Sequence, residues 1–398
     1  MVTSSVGGPR AISFINADLG NVSASSLRVV RPFIQSIGEN PAPSDLIVDL
    51  GGDRLLPGLI NAHDHLQLNG LRRIKYRLRH ANVKDWIDDI SRRRSTDAEL
   101  VAWHSVPLRT HQVHGGLKNI LSGVTTVAHH DPIDVALLAS DFPTRVVARI
   151  GWAHSLAIDG ELRVQRSYQD SPREWPWAIH AAEGVDFAAA HEFDRLDALG
   201  CVGPNTLIVH GVGMNSVQHQ RLINAGAGLI WCPSSNMHLF GRTPDVTALA
   251  SLHRVALGTD SRMSGERDLL SELSSAHKAC ELDTLALEAM VTCHAARLLG
   301  LEDCGTLEPG ARADLIILPG RRQLTSASRA DIRLVMLNGQ IRLGDTHYVP
   351  QLAPAQQCVE FELDGHTKLM DHSLATQLLQ LQVREAGLNL RRANWRAA

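Results

Sequence analysis

The chain is poor in the features that mark several common protein classes. Aromatic residues make up only 4 % of its 398 residues, too few to suggest platforms for stacking nucleic-acid bases. Neither sign of charge dominates: 39 Lys and Arg face 42 Asp and Glu, a formal net charge of −3. That balance speaks against a nucleic-acid or membrane-surface partner. The basic run Arg92-Arg93-Arg94 reads as a solvated helix face. No CxxC pair exists among Cys201, Cys232, Cys280, Cys293, Cys304 and Cys358, which suits free thiols in a reducing compartment. The N-terminus lacks a charged-then-apolar leader pattern, and no apolar run reaches membrane-spanning length. The expectation is a soluble, cytoplasmic protein.

Histidine is the abundant exception, with 20 residues. The enrichment hints at metal or proton chemistry. It also makes about one HxH triplet expected by accident, so His63-Asp64-His65 needs its context. The length suggests a large domain plus a smaller one. Ala11–Ile15, Leu27–Phe33 and Leu46–Leu50 read as strands. After the break at Pro57-Gly58, the run Leu59–Ala62 delivers the histidine pair. Strand and helix signals then alternate. The runs Thr125–Ala128, Arg145–Ile150, Trp177–Ile179, Leu207–Val209, Leu229–Trp231 and Val255–Thr259 read as buried strands. Asp186–Leu199, Ser216–Ala225 and Glu266–Cys280 read as helices. Such alternation predicts a parallel sheet. Metal-competent side chains recur just past the strands, at His65, His180, His210 and Asp260. In a (β/α)8 barrel those ends share one rim. An open doubly wound sheet would favour a Gly-rich phosphate loop after its first strand, and none is present. Ala313–Leu318 and Ile332–Leu337 return to strand character, with Asn338-Gly339 as a hairpin turn. Ser373–Glu385 reads as helical.

Leu56-Pro57-Gly58-Leu59-Ile60-Asn61-Ala62-His63-Asp64-His65 opens an ordered series. It continues with His180-Ala181-Ala182-Glu183, Val209-His210-Gly211, Cys232-Pro233-Ser234-Ser235-Asn236 and Leu257-Gly258-Thr259-Asp260-Ser261. Thr292–Gly300 and Gly310–Leu315 follow. This set resembles the amidohydrolase superfamily, in particular its mononuclear aminohydrolase and chlorohydrolase branch, related to cytosine and guanine deaminases. The resemblance spans about residues 50 to 320. It implies a TIM-like (β/α)8 barrel over residues 57–305, and a small β-sandwich domain built from residues 1–56 and 306–350. Residues 351–398 remain as a C-terminal helical extension. About 25 residues separate Trp152 from His180, where the family fits a further strand and helix, so one β/α unit is expected to be shortened.

Residues two apart on a strand share a face, so His63 and His65 can ligate one ion. Two neutral imidazoles suit zinc or another first-row metal rather than magnesium. The resemblance assigns His180 and Asp260 as further ligands, with zinc expected and ferrous iron the alternative. A water on that ion ionises near pH ~7 and becomes a hydroxide nucleophile. The resemblance also implies that Glu183 shuttles protons, that His210 polarises the substrate or orients the hydroxide, and that Asp260 accepts the water's proton. Capping of the next helix is the competing role for Glu183. Gln67, His154, Asn236 and His238 are the candidate substrate contacts, with packing roles competing. No lysine stands where a binuclear member would carry its bridge, which favours a single metal.

The expected activity is hydrolysis of a C–N bond, foremost deamination of an N-heterocyclic small molecule. The rivals are hydrolysis of a cyclic amide or carbamoyl group, removal of another leaving group, and a non-catalytic barrel that binds a metabolite. The expected partners are a small-molecule substrate, water and further copies of the chain.

Overall fold

A computed structural model describes residues 11–20, 23–354 and 357–390. The chain starts with four short strands, β1 (Ile12–Ile15), β2 (Leu27–Val30), β3 (Phe33–Ile37) and β4 (Leu46–Asp49), in the order β3-β2-β1-β4. Leu27 and Val29 on β2 are buried while Val30 is exposed, the alternation of a one-sided sheet. Strand β5 (Arg54–Pro57) follows and belongs to a different sheet.

Eight parallel strands follow among the described residues. They are β6 (Leu59–Asp64), β7 (Val124–His129), β8 (Arg145–Val146), β9 (Gly151–Ala153), β10 (Trp177–Ala181), β11 (Thr206–His210), β12 (Gly228–Trp231) and β13 (Val255–Leu257). They form two arcs, β6-β7-β8 and β9-β10-β11-β12-β13, every pair parallel. Beyond β13 the chain meets β6, where the Asp260 N–H donates to the His63 carbonyl at 3.1 Å. One face of the strands gathers Ile60, Ala62, Ala128, Ala178, Leu207, Val209, Ile230 and Ala256. The other packs Leu59, Val127, Ile179, Ile208, Leu229 and Leu257 against the helices. Burial on both faces explains why these strands read as continuous apolar runs. The arrangement is a TIM-barrel-like α/β fold.

The run Arg145–Ile150 is not the single strand expected. After Val146 the chain still pairs with β7 through Val147 N–H on the Val127 carbonyl. By Gly151 it has changed neighbours, donating to the Pro176 carbonyl ahead of β10. Four residues make that exchange without a helix. The shortened unit therefore lies between β8 and β9. Between β9 and β10 the helices Leu156–Asp159 and Glu161–Asp170 are both present.

The last strands are β14 (Leu315–Leu318), β15 (Leu334–Leu337), β16 (Gln340–Asp345), β17 (Cys358–Leu363), β18 (His366–Asp371) and β19 (Leu388–Leu390). They join β5 in one sheet of order β19-β17-β18-β16-β15-β14-β5. Leu56 pairs with Ile316, so both ends of the chain build this layer. Its Leu315, Ile317, Leu334 and Met336 share a core with Phe14, Val29 and Val48 of the first sheet. Asn338-Gly339 turns β15 into β16 with both residues left-handed, as expected of that dipeptide.

The C-terminal extension is not simply helical. Strands β17, β18 and β19 flank one helix, His372–Gln380, and residues 391–398 lie outside the described ones. Asp364-Gly365 is the decisive local signal. Both residues have positive φ, +49° and +84°, in a two-residue turn that sets Leu363 opposite His366. Phe361 and Leu363 then point inward on alternate positions. Among the described residues no helix is long and apolar enough to cross a membrane.

Candidate active site

The strand ends converge as their residue types suggest. The Nε2 atom of His180 lies 3.2 Å from that of His63 and 3.3 Å from that of His65. Asp260 Oδ1 stands 3.9 Å from His63 Nε2 and 3.8 Å from His65 Nε2. Four side chains from β6, β10 and the end of β13 thus meet around one point. Ligand bonds of about 2.1 Å in a tetrahedron place neighbouring nitrogens roughly 3.4 Å apart, so the spacing fits a metal centre. The pairing of β6 with β7 shifts register between Asn61 and Asp64, a bulge at the ligand pair itself.

The outward nitrogens of two of these rings are occupied. His65 Nδ1 lies 2.7 Å from Asp131 Oδ2, and His180 Nδ1 donates to the His154 carbonyl at 2.8 Å. These bonds hold each ring with Nε2 directed inward. Burial, followed by neighbouring imidazoles, pushes His63 and His180 well below the ordinary histidine value. Burial acts the same way on His65, but the Asp131 charge outweighs it and raises that ring to about 9. A metal ion held at His65 would therefore displace a proton.

Asp64, between the two ligand candidates, points the other way. It accepts from Asn119 at 2.8 Å, Asn69 at 2.8 Å, Asn61 at 3.1 Å and the fully buried Lys118 at 3.2 Å. Lys118 also donates to Thr259 Oγ1 at 2.8 Å. The middle residue of the triplet thereby fastens the ends of β6 and β13 to helix Leu108–Leu121.

Glu183 follows β10 through Ala182, whose φ is +52°. The Ala182 N–H donates to the buried carboxylate of Glu192 at 2.9 Å, which holds this turn. Gly184 comes next because a Cβ there would lie 2.6 Å from the Ala81 carbonyl oxygen. The Glu183 carboxyl is buried and lies 3.5 Å from His210 Nε2. Burial, then the Asp260 charge, raises its pKa well above the ordinary value. His210 (φ +73°) is itself in the left-handed region, as is Asp260 (φ +51°). Such strained residues cost on the order of 1–3 kcal/mol each and concentrate at functional sites. His210 Nδ1 sits 2.8 Å from Asn236 Oδ1 and so carries the proton, leaving Nε2 as an acceptor toward Glu183. Asp260 Oδ2 accepts from Ser235 and Ser264, each at 2.7 Å, and Oδ1 from the Ser261 N–H at 2.7 Å. Burial opposes its ionisation, but His210 and His65 keep it below the usual carboxylate range.

The loop after β6 crosses above this cluster. Ile74 N–H bonds the Met263 carbonyl, His80 N–H the Leu239 carbonyl, and Val83 N–H the Glu183 carbonyl. Residues past β6, β10, β12 and β13 are thereby tied together over a cluster in which His63, Glu183, His210 and Asp260 are buried.

Three of the four candidate substrate contacts have side-chain partners in the protein. Gln67 donates to Asp131 at 2.8 Å, and its Oε1 is buried without a partner. His154 Nε2 lies 3.4 Å from Asp131, and its carbonyl orients His180. Asn236 orients His210 and donates to Thr243. His238 is half-buried with an unpartnered Nε2, one helical turn beyond Ser235, and burial lowers its pKa to about 4. Asp131 is the residue that sequence reasoning missed. Its signal was its place directly after His129-His130, at the end of β7. His130 meanwhile donates to the Ala153 carbonyl and packs its ring 4.4 Å from that of His180.

The profile of the amidohydrolase family matches residues 174–342. Over 385 residues the chain is 27 % identical to a 5-methylthioadenosine/S-adenosylhomocysteine deaminase of Halobacterium salinarum, covering 80 % of this chain and 87 % of that one. The chain is thus similar in sequence to the amidohydrolase family. A second relative, a 5'-deoxyadenosine deaminase of Methanothermobacter thermautotrophicus, is 25 % identical over 413 residues, with 85 % and 95 % coverage. The fold matches that of a zinc-bound adenosine deaminase from Xanthomonas campestris with a TM-score of 0.71 at 18 % identity, over 94 % of this chain and 99 % of that one.

Asp131 gives a direct test of the proposed ligand geometry. Asp131→Asn keeps the shape but removes the charge that anchors His65. Metal affinity, measured by chelator competition, is expected to fall about 10- to 100-fold. Unchanged affinity would show that His65 needs no such anchor.

Proposed function

We propose that this protein deaminates an N-heterocyclic small molecule at a single zinc site held by His63, His65, His180 and Asp260. The observation that carries the proposal is the buried Glu183 carboxyl beside that ligand cluster, 3.5 Å from His210. A ligand cluster alone serves many purposes. A protonated carboxyl next to it serves a reaction in which a ring nitrogen must gain a proton before C=N attack. When bound, zinc supplies Lewis acidity and acidifies a water toward neutral pH.

The chain's own groups do the rest. Glu183 holds a proton at its buried carboxyl and passes it to the ring nitrogen. Asp260, ionised and fixed by Ser235, Ser261 and Ser264, accepts the proton that the attacking water gives up. His210 Nε2 accepts a hydrogen bond at the same point and orients the attack. Asp260 passes that proton to the departing amine, ammonia leaves, and the remaining hydroxyl proton returns to Glu183 as the carbonyl forms. Burial of Glu183, His210 and Asp260 keeps these groups in low dielectric, where their interactions are strong. The deaminase names of the two relatives, both adenine-containing substrates, support a purine-like ring. The same reading takes the two parallel arcs as one closed (β/α)8 barrel and the flanking sheets as a β-sandwich.

The test is ammonia release from purified, zinc-loaded protein across purines, pyrimidines, pterins and small amides. Release from an amino-substituted ring is the expected result. Ring opening or loss of another group, without ammonia, would replace deamination by one of its hydrolytic rivals.

A further inference from the structure

The C-terminal extension meets the loop after β13 at two carboxylates, Asp364, 3.4 Å from the exposed Arg267, and the buried Glu385. Glu385 lies between the helix His372–Gln380 and β19, beyond the part of the chain matched by the family profile. Its side chain is fully buried and meets Arg262, Arg329 and His114. Arg262 grips it with two parallel bonds of 2.7 and 2.9 Å, His114 lies at 2.8 Å, and Arg329 at 2.5 Å. Arg329 is buried as well and is bonded in turn to Asp364 and to the Ala386 carbonyl.

Arg262 stands two residues past Asp260, in the loop 261–267. That loop supplies two of the three donors on Asp260, the Ser261 N–H and the Ser264 hydroxyl. It is folded tightly: Gly265 N–H returns to the Ser261 carbonyl, and a Cβ on Gly265 would lie 2.1 Å from the Thr259 oxygen. Arg262 also ties the loop to its neighbours, its Nε donating to the Arg267 carbonyl and its backbone N–H to Asn69 Oδ1. Asn69 bonds Asp64 and the His65 carbonyl, at the other side of the ligand cluster. A fork-to-fork Arg–carboxylate bond fixes both distance and plane, so Glu385 sets where this loop sits.

We propose that Glu385 is a positioning residue for the metal site: through Arg262 it holds the 261–267 loop, and with it the orientation of Asp260. This rests on the reading of Asp260 as a ligand and proton acceptor. It gives the C-terminal extension a task in the reaction, although none of its described residues touches the ligand cluster.

The experiment uses the full chain loaded with zinc, and reads metal release to a chelator alongside kcat and KM for whichever ring is turned over. In Glu385→Gln, release is expected to quicken at least about ten-fold, and kcat to fall by a similar factor with KM little changed. Arg262→Met removes the same clamp while leaving Glu385 its bonds to Arg329 and His114, and is expected to match it. The double variant should be no worse than the worse single one, because both cut the same link. If Glu385→Gln does not fold, Arg262→Met decides alone. Folded variants that release zinc at the parent rate and keep the parent kcat overturn the proposal. Zinc release is read without any substrate, so failure of the deamination assay leaves this test intact.

Discussion

Glu183→Gln is expected to lower ammonia release by about 10³-fold while the protein stays folded and holds its metal. The substitution keeps the size of a buried side chain, so packing is preserved. It removes the exchangeable acid 3.5 Å from His210 Nε2. Because no ligand atom of the proposed centre belongs to Glu183, metal content should not change. The pH dependence carries a second signature. Burial and the Asp260 charge raise the Glu183 pKa, so its acid form persists above the ordinary carboxylate range and is lost as pH rises through that raised value. The parent enzyme should therefore show an alkaline limb in kcat/KM that is missing from residual activity in the variant. Retention of parent turnover would remove Glu183 from the mechanism.

Stripping the metal with a chelator is expected to abolish turnover and to lower Tm, with both restored by one equivalent of zinc. Three imidazoles and a carboxylate are buried together here, and an ion that binds only the folded chain stabilises it by mass action. At free metal about a thousand times its Kd, that amounts to about 4 kcal/mol. Affinity should also depend on pH, with a definite sign. Asp131 raises His65 to about 9, so below that pH a proton competes for the ligand nitrogen. Apparent affinity should weaken as pH falls, about ten-fold per unit while this one proton is displaced. Chelator competition at pH 6 and pH 8 measures it, and equal affinities would contradict the displacement. Full activity in rigorously metal-free protein would sink the zinc assignment altogether.

Much of this centre could be read from the residues because strand ends obey a simple rule. His63, His65, His180, His210 and Asp260 each follow an apolar run that must be a buried strand, and such ends share a rim. What could not be read were bonds that cross between distant segments. Asp131 meets His65, Gln67 and His154; its place at the end of β7 marks it as a rim residue, but not which side chains it meets. Arg145–Ile150 looked like one strand because its composition is uniform. The break comes from a change of neighbour, from β7 to β10, which only the assembled sheet imposes. In the C-terminal extension, the helix-like run Ser373–Glu385 drew attention away from Asp364-Gly365, a turn as plain as Asn338-Gly339. Lys118 was invisible for another reason: a lysine on a helix normally faces water, and only the carboxylate of Asp64 makes its burial tolerable.

The pairing of Leu56 with Ile316 has a consequence for how the protein is made. Strand β5 leaves the ribosome early, immediately before the histidine pair, yet its partner β14 emerges some 260 residues later. Until then β5 presents an open edge, and the first sheet lacks the apolar layer of Leu315, Ile317, Leu334 and Met336 that covers it. Contacts of such long sequence separation form slowly. A nascent chain that has already completed β6 through β13 still carries uncovered apolar surface at its beginning, which is where holding by a chaperone would matter most.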